Sequence, residues 1–166
     1  MKKILLIAAL ACTIGAKAQQ KDIFYDVPLK SQYQGETSKA VSIKNGLTTI
    51  YTKFSGHQVE VTAIKGSSGA MLLALDPPEP QLLEVAFCDL NSDGVKDVVV
   101  AYMAGPADLK FNVYDGKSFK QIGQGHGAEH LRFFKNQLAV VFEHESGEQD
   151  DVYTVKGGQL VVVGEN

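Results

Sequence analysis

Between Cys88 and Val100 the chain reads CDLNSDGVKDVVV, with three carboxylates, Asp89, Asp93 and Asp97, and the amide of Asn91 inside nine residues. Two like charges about 4 Å apart cost on the order of 1 kcal/mol in water and about 4 kcal/mol at an effective dielectric near 20. A cation would remove that cost. Counted from Asp89, side-chain oxygens fall at positions 1, 3, 5 and 9, Gly94 at 6 and Val95 at 7. Alternate residues of a tight loop point inward, and a glycine at position 6 permits the turn that brings the next backbone carbonyl round. Asp89, Asn91, Asp93, Asp97 and the Val95 carbonyl are therefore the expected metal ligands. The expected cofactor is calcium, which takes 6–8 oxygens at about 2.3–2.6 Å in flexible geometry. Magnesium demands a stricter octahedron, and zinc or copper prefers nitrogen or sulfur. Position 12, where an EF-hand needs Glu, is Val100, so the loop is not an EF-hand. The plainer alternative is a polar turn held by Asx-type hydrogen bonds.

Other residues could do chemistry. His126 and His130 stand at i, i+4, a zinc spacing on a helix, but the HExxH order is absent and glycines surround them. A solvated turn is the simpler reading. Glu143 and Glu145 would share one face of a strand about 6–7 Å apart, a separation at which paired carboxylates hydrolyse glycosides. An exposed polar edge explains them equally. Glu148, Asp150 and Asp151 extend the same acidic patch, which suits a basic partner or solvent. Cys88 closes an apolar run and reads as a small buried residue. No G-x-S-x-G, Walker A or dinucleotide fingerprint occurs. No catalytic residue is assigned, and the expectation is a protein that is not an enzyme.

The elements that position these residues are strands. Val59, Val61 and Ala63 alternate with Glu60, Thr62 and Ile64. Leu83, Val85 and Phe87 alternate with Glu84, Ala86 and Cys88. Phe111 and Val113, and later Leu138, Val140 and Phe142, repeat the pattern. Period two with branched and aromatic residues means strand. Turn pairs separate them at Asn45-Gly46, Asp93-Gly94, Asp115-Gly116, Lys135-Asn136 and Gly157-Gly158. Asp76-Pro77-Pro78-Glu79-Pro80 is a rigid connection, because proline removes donors and fixes φ. Ser67–Leu75 and Gly127–Phe133 have room for short helical turns. Val98 to Tyr102 does not alternate, so this strand should be covered on both faces and lie between layers. The expected fold is all-β, an antiparallel meander forming a two-sheet sandwich or an incomplete propeller-like array.

The first residues read as a signal peptide: Lys2 and Lys3, an apolar stretch from Ile4 to Gly15, then Ala16-Lys17-Ala18 before Gln19. The stretch is too short to span a bilayer, and no membrane span is expected. A buried N-terminal helix is one alternative, and a lipid anchor at Cys12 another, although Ala9-Leu10-Ala11 fits a lipobox poorly. Cleavage after Ala18 leaves residues 19–166 as a single β-rich domain, periplasmic or secreted, and takes the formal charge from −3 to −6. An acidic chain with no basic cluster is not a nucleic-acid binder. Only Cys88 remains, so no internal disulfide supports the fold.

The loop resembles the DxDxDGxxD calcium loop of FG-GAP and VCBS-type repeats, over Phe87 to Tyr102 and more weakly through Phe111 to Phe119, with Asn91 where the pattern has Asp. That resemblance implies calcium on Asp89, Asn91, Asp93 and Asp97. Propellers carry many such loops and this chain has one. Its size and layout, and a Tyr153 to Leu160 hairpin, are similar to small periplasmic immunity proteins that inhibit lysozyme-like peptidoglycan hydrolases. The implied function is an exported, non-enzymatic, calcium-stabilised binding domain whose partner is a cell-wall hydrolase. The alternatives are a surface or adhesion module binding glycan or protein through the same loops, and a small hydrolase using Glu143 and Glu145.

Overall fold

The computed structural model describes residues 23–25, 30–34, 41–55, 58–75, 82–105, 108–127, 130–144 and 147–165. The expected signal peptide, its cleavage site, Cys12 and the proline cluster at 76–80 lie outside them. The described residues are all-β, with no helix. No helix among them is therefore long and apolar enough to cross a membrane.

Three antiparallel meanders follow one another along the chain. Sheet I holds β3 (Val41–Asn45), β4 (Thr48–Ser55), β5 (Gln58–Lys65) and β6 (Ser68–Leu75). Sheet II holds β7 (Leu82–Cys88), β8 (Asp97–Met103), β9 (Leu109–Tyr114) and β10 (Gln121–Gly127), with β2 (Lys30–Gln34) antiparallel to β7. Sheet III holds β11 (His130–Phe134), β12 (Gln137–His144), β13 (Gly147–Lys156) and β14 (Gln159–Glu165). The two-residue β1 (Phe24–Tyr25) runs parallel to β11 at its edge. Tight turns join the strands where glycine supplies positive φ, as at Gly46 (58°) and Gly66 (61°).

The sheets stack face to face with sheet II in the middle. On one side Leu83, Val85, Phe87, Val98 and Val100 pack against Ile50, Val59, Val61 and Ala63 of sheet I. On the other, Ala86, Val99, Ala101, Phe111 and Val113 pack against Leu131, Leu138 and Val140 of sheet III. Val98 to Ala101 are fully buried between the layers, whereas Tyr102, at the end of the same apolar run, is only half-buried. Each buried valine there contributes about 1.5–3 kcal/mol when taken from water. The Tyr114 hydroxyl donates to the Leu72 carbonyl at 2.6 Å and bolts sheet II to sheet I. Burial, with Tyr102 adding to it, pushes that phenol up to about 12.

The all-β antiparallel meander is borne out, as three sheets among the described residues with none closed into a barrel. One expectation needs correction. Ser68–Leu75 is strand β6, and Gly127 and His130–Phe133 belong to β10 and β11, so neither segment carries a helical turn among the described residues. Sheet pairing satisfies backbone groups that a lone turn would leave exposed. All seven residues of β7 are buried, so its alternation separates two covered faces. Glu84 is among them. Its carboxylate accepts the Phe24 N–H at 2.8 Å and the Gln32 amide at 2.8 Å, and pairs with the Lys30 ammonium at 3.5 Å. A buried charge requires such partners, and these tie β1 and β2 to the middle sheet.

The alternating glycines of β10 also have a packing reason. A Cβ on Gly123 would overlap Leu160, one on Gly127 would overlap Val140, and one on Gly125 would stand 2.5 Å from the Phe111 ring. Side chains of sheets II and III come too close to β10 there for any other residue to fit.

Candidate metal centre

The loop joins β7 to β8, with Cys88 paired to Asp97 across its base. Ser92 (φ 59°) and Gly94 (φ 80°) turn the backbone back on itself. The acidic and amide side chains are folded over the turn. Asp89 accepts the N–H of Asp93 at 3.1 Å on one oxygen and that of Gly94 at 3.0 Å on the other. Asn91 Oδ1 also accepts the Asp93 N–H, at 2.9 Å, and Asp93 Oδ1 accepts the Val95 N–H at 2.8 Å. These are the Asx-type bonds of the plainer reading, and they also give the oxygens their places.

Leu90 points the other way, fully buried in the core between sheets II and III. Asp97 is buried as well, at 0% exposure. Its two oxygens accept the N–H of Leu90 at 3.1 Å and of Gly116 at 3.0 Å. Burial pushes its carboxyl up to about 6 despite those two donors, and the charges of Asp115 and Asp93 add to the rise. The same environment makes Cys88 inert: burial, then Asp97 and Asp89, push the thiol up to about 12.

A second turn completes the site. Val98 pairs with Tyr114, so Asp97 and Asp115 meet at the same end of β8 and β9. A Cβ on Gly116 would overlap the Lys96 carbonyl, so only glycine lets the two turns touch. Asp115 Oδ1 takes the Ser118 hydroxyl at 2.6 Å and the Ser118 N–H at 2.7 Å. Burial alone would raise this carboxyl, but the bonds from Ser118 and the Lys117 N–H bring it below the usual range. Lys117 reaches back to Asp93 Oδ2 at 2.7 Å. That bond, with the Val95 N–H, lowers the Asp93 carboxyl and raises the ammonium. The site also touches both outer sheets. Lys65 of β5 donates to the Gly116 carbonyl at 3.1 Å, and Thr154 of β13 makes a long contact of 3.5 Å to the Leu90 carbonyl.

Among the described residues no three His, Cys, Asp or Glu side chains stand grouped as a ready cation cage. The donor chemistry nonetheless fits calcium. All the side-chain donors expected from the sequence are oxygens on one loop, and an ionised carboxylate has about four lone-pair sites, of which the backbone N–H groups engage only some. The ammonium of Lys117 supplies positive charge at Asp93. The spacing of Asp89 to Asp97 was legible in the sequence. The part of Asp115, Gly116 and Lys117 was not, since Asp115-Gly116 reads only as a turn. Counting outward along the β8–β9 register is the signal that finds it.

The remaining candidates are dispersed. His126 is exposed on β10 of sheet II, while His130 is buried on β11 of sheet III with its ring 4.5 Å from that of Tyr25. They do not share a helix, because 126 ends one meander and 130 begins the next. Glu143 lies near the end of β12, and the register sets it opposite Glu148. Glu145 lies outside the described residues, so the paired-carboxylate reading gains no geometry.

The fold and site define a class, a three-sheet all-β protein with one oxygen-donor loop at the end of its middle sheet. Comparison with family models, with curated proteins and with solved structures finds no match to this chain.

Proposed function

We propose that this protein is an exported, non-enzymatic binding domain stabilised by calcium. Asp89, Asn91, Asp93, Asp97 and the Val95 carbonyl would hold the ion, which neutralises the carboxylates and stiffens the loop. The observation that carries the reading is the position of Asp97. Its buried carboxylate ties the loop to the Asp115–Ser118 turn, and that turn and Leu90 touch both outer sheets. Rigidity gained at the loop is therefore passed to the whole stack. A preorganised surface loses less entropy when it binds a partner.

The finer reading, an inhibitor or immunity protein that occludes a cell-wall hydrolase, is supported by the resemblance of loop, size and layout. The acidic patch of the chain suits a basic enzyme.

Thermal unfolding of residues 19–166 with calcium, with magnesium and with a chelator tests the calcium reading. At about 100 times its dissociation constant a ligand adds roughly 2.7 kcal/mol, which is several degrees for a domain of this size. Calcium should raise the midpoint by that much, magnesium should do less, and Asp93→Ala should abolish the rise. An unchanged wild-type midpoint would reduce the loop to a turn. The partner reading is tested separately, by titrating the protein into lysozyme-type hydrolases. Stoichiometric loss of activity supports it, and full activity throughout rejects it.

A further inference from the structure

Among the described residues, the side of sheet II that faces sheet I is not covered along its whole length. Val98, Val100 and Tyr114 are buried under sheet I. Further along the same face the register sets Tyr102 beside Lys110, Lys110 beside His126, and Asn112 beside Gln124. These five are half-buried or exposed. They line, with Asp108, an open groove of about 570 Å³. Small-ligand sites span roughly 300–1,000 Å³. Tyr102 is five residues along β8 from Asp97, about 17 Å by strand rise, so the groove stands apart from the metal loop.

Its chemistry selects a ligand class. The full charges answer each other, with Lys110 Nζ 3.4 Å from Asp108 Oδ2, so the groove offers no net charge to an anion or a cation. What remains is a phenol ring, an imidazole and a set of amides. Gln121 Nε2 donates both to Asn112 Oδ1 at 3.1 Å and to Gln124 Oε1 at 3.0 Å. That bridge orients both groove amides, leaving Asn112 Nδ2 and Gln124 Nε2 as donors and a second lone pair on each amide oxygen. Fixed amides beside an aromatic face, without net charge, complement a molecule with many hydroxyls and a flat C–H face. We infer that this groove binds a neutral oligosaccharide, on the sheet face and not through the loops.

The test uses tetrasaccharides of cellulose, amylose, chitin and mannan type, with inorganic phosphate as the charged probe, on the isotope-labelled protein in calcium buffer. At least one sugar should bind saturably with a millimolar or tighter constant and shift the side-chain amide signals of Asn112, Gln121 and Gln124. The double substitution Asn112→Ala with Gln124→Ala should weaken it about tenfold or more while the unfolding midpoint holds. Tyr102 packs partly against the core, so Tyr102→Leu keeps bulk there and should also weaken binding. The inference is overturned if no sugar binds up to about 10 mM, if binding survives the amide substitutions, or if phosphate is preferred. The calcium-dependent midpoint is read independently, so failure here is distinct from failure of the loop.

Discussion

At the scale of single residues, Asp97 has the sharpest consequence. Its carboxyl stands at about 6 in the fold against about 3.9 in an unfolded chain. The native state therefore binds the extra proton between those values. The stability this contributes is fully present below about pH 4 and is lost as pH rises through 6. In chelator, the Asp97 contribution should thus lower the unfolding midpoint between about pH 4 and pH 6. With calcium the sign reverses, because the cation binds the ionised form, and the midpoint should rise over the same window. Parallel unfolding series at pH 4, 5, 6 and 7 measure it, and identical profiles with and without calcium would remove Asp97 from the site. Lys117 belongs at this scale too. Its ammonium engages Asp93 at 2.7 Å, so a bound cation must compete with it. Lys117→Ala should tighten calcium severalfold by titration calorimetry; weaker binding would mean that the lysine helps to build the site.

Among the elements, β10 and the loop show how packing constrains local sequence. Gly127 and Gly123 occupy places where a methyl group would overlap Val140 and Leu160. Overpacking costs typically 1–3 kcal/mol, so Gly127→Ala should destabilise by about that much in denaturant unfolding, whereas exposed Gln124→Ala on the same strand should stay within about 0.5 kcal/mol. Equal effects would show that sheets II and III are not apposed there. The glycines of QIGQGHG leave no apolar alternation that would mark β10 as a strand. Why Gly123 and Gly127 lack side chains is visible only once sheet III is laid against them, while Gly125 makes room for the Phe111 ring of the neighbouring strand.

For the whole molecule, the loop matters because all three sheets meet it. Asp97 holds it to the second turn, Lys65 reaches that turn from sheet I and Thr154 reaches Leu90 from sheet III. Calcium should therefore slow amide exchange in β5 and β13 as well as in β7 and β8, since global unfolding becomes the common route of exchange. Protection confined to residues near the loop would show that the outer sheets open without it.

The sequence by itself determined the all-β class, the strands whose residues alternate clearly, most of the turns, the buried run at Val98 to Ala101 and the oxygen spacing from Asp89 to Asp97, but not β6 or β11. All of these are written in short-range order: a period of two, a glycine where φ is positive, ligand residues within one loop. Tertiary structure alone decided that the meanders stack as three sheets and that Glu84 is buried with Lys30 and Gln32. It also decided that Lys117 meets Asp93, that His126 and His130 part company, and that one end of sheet II stays open. The physical reason is common to them. Alternation says which residues share a face of a strand, but what covers that face is set by pairings and packing between residues far apart in the chain.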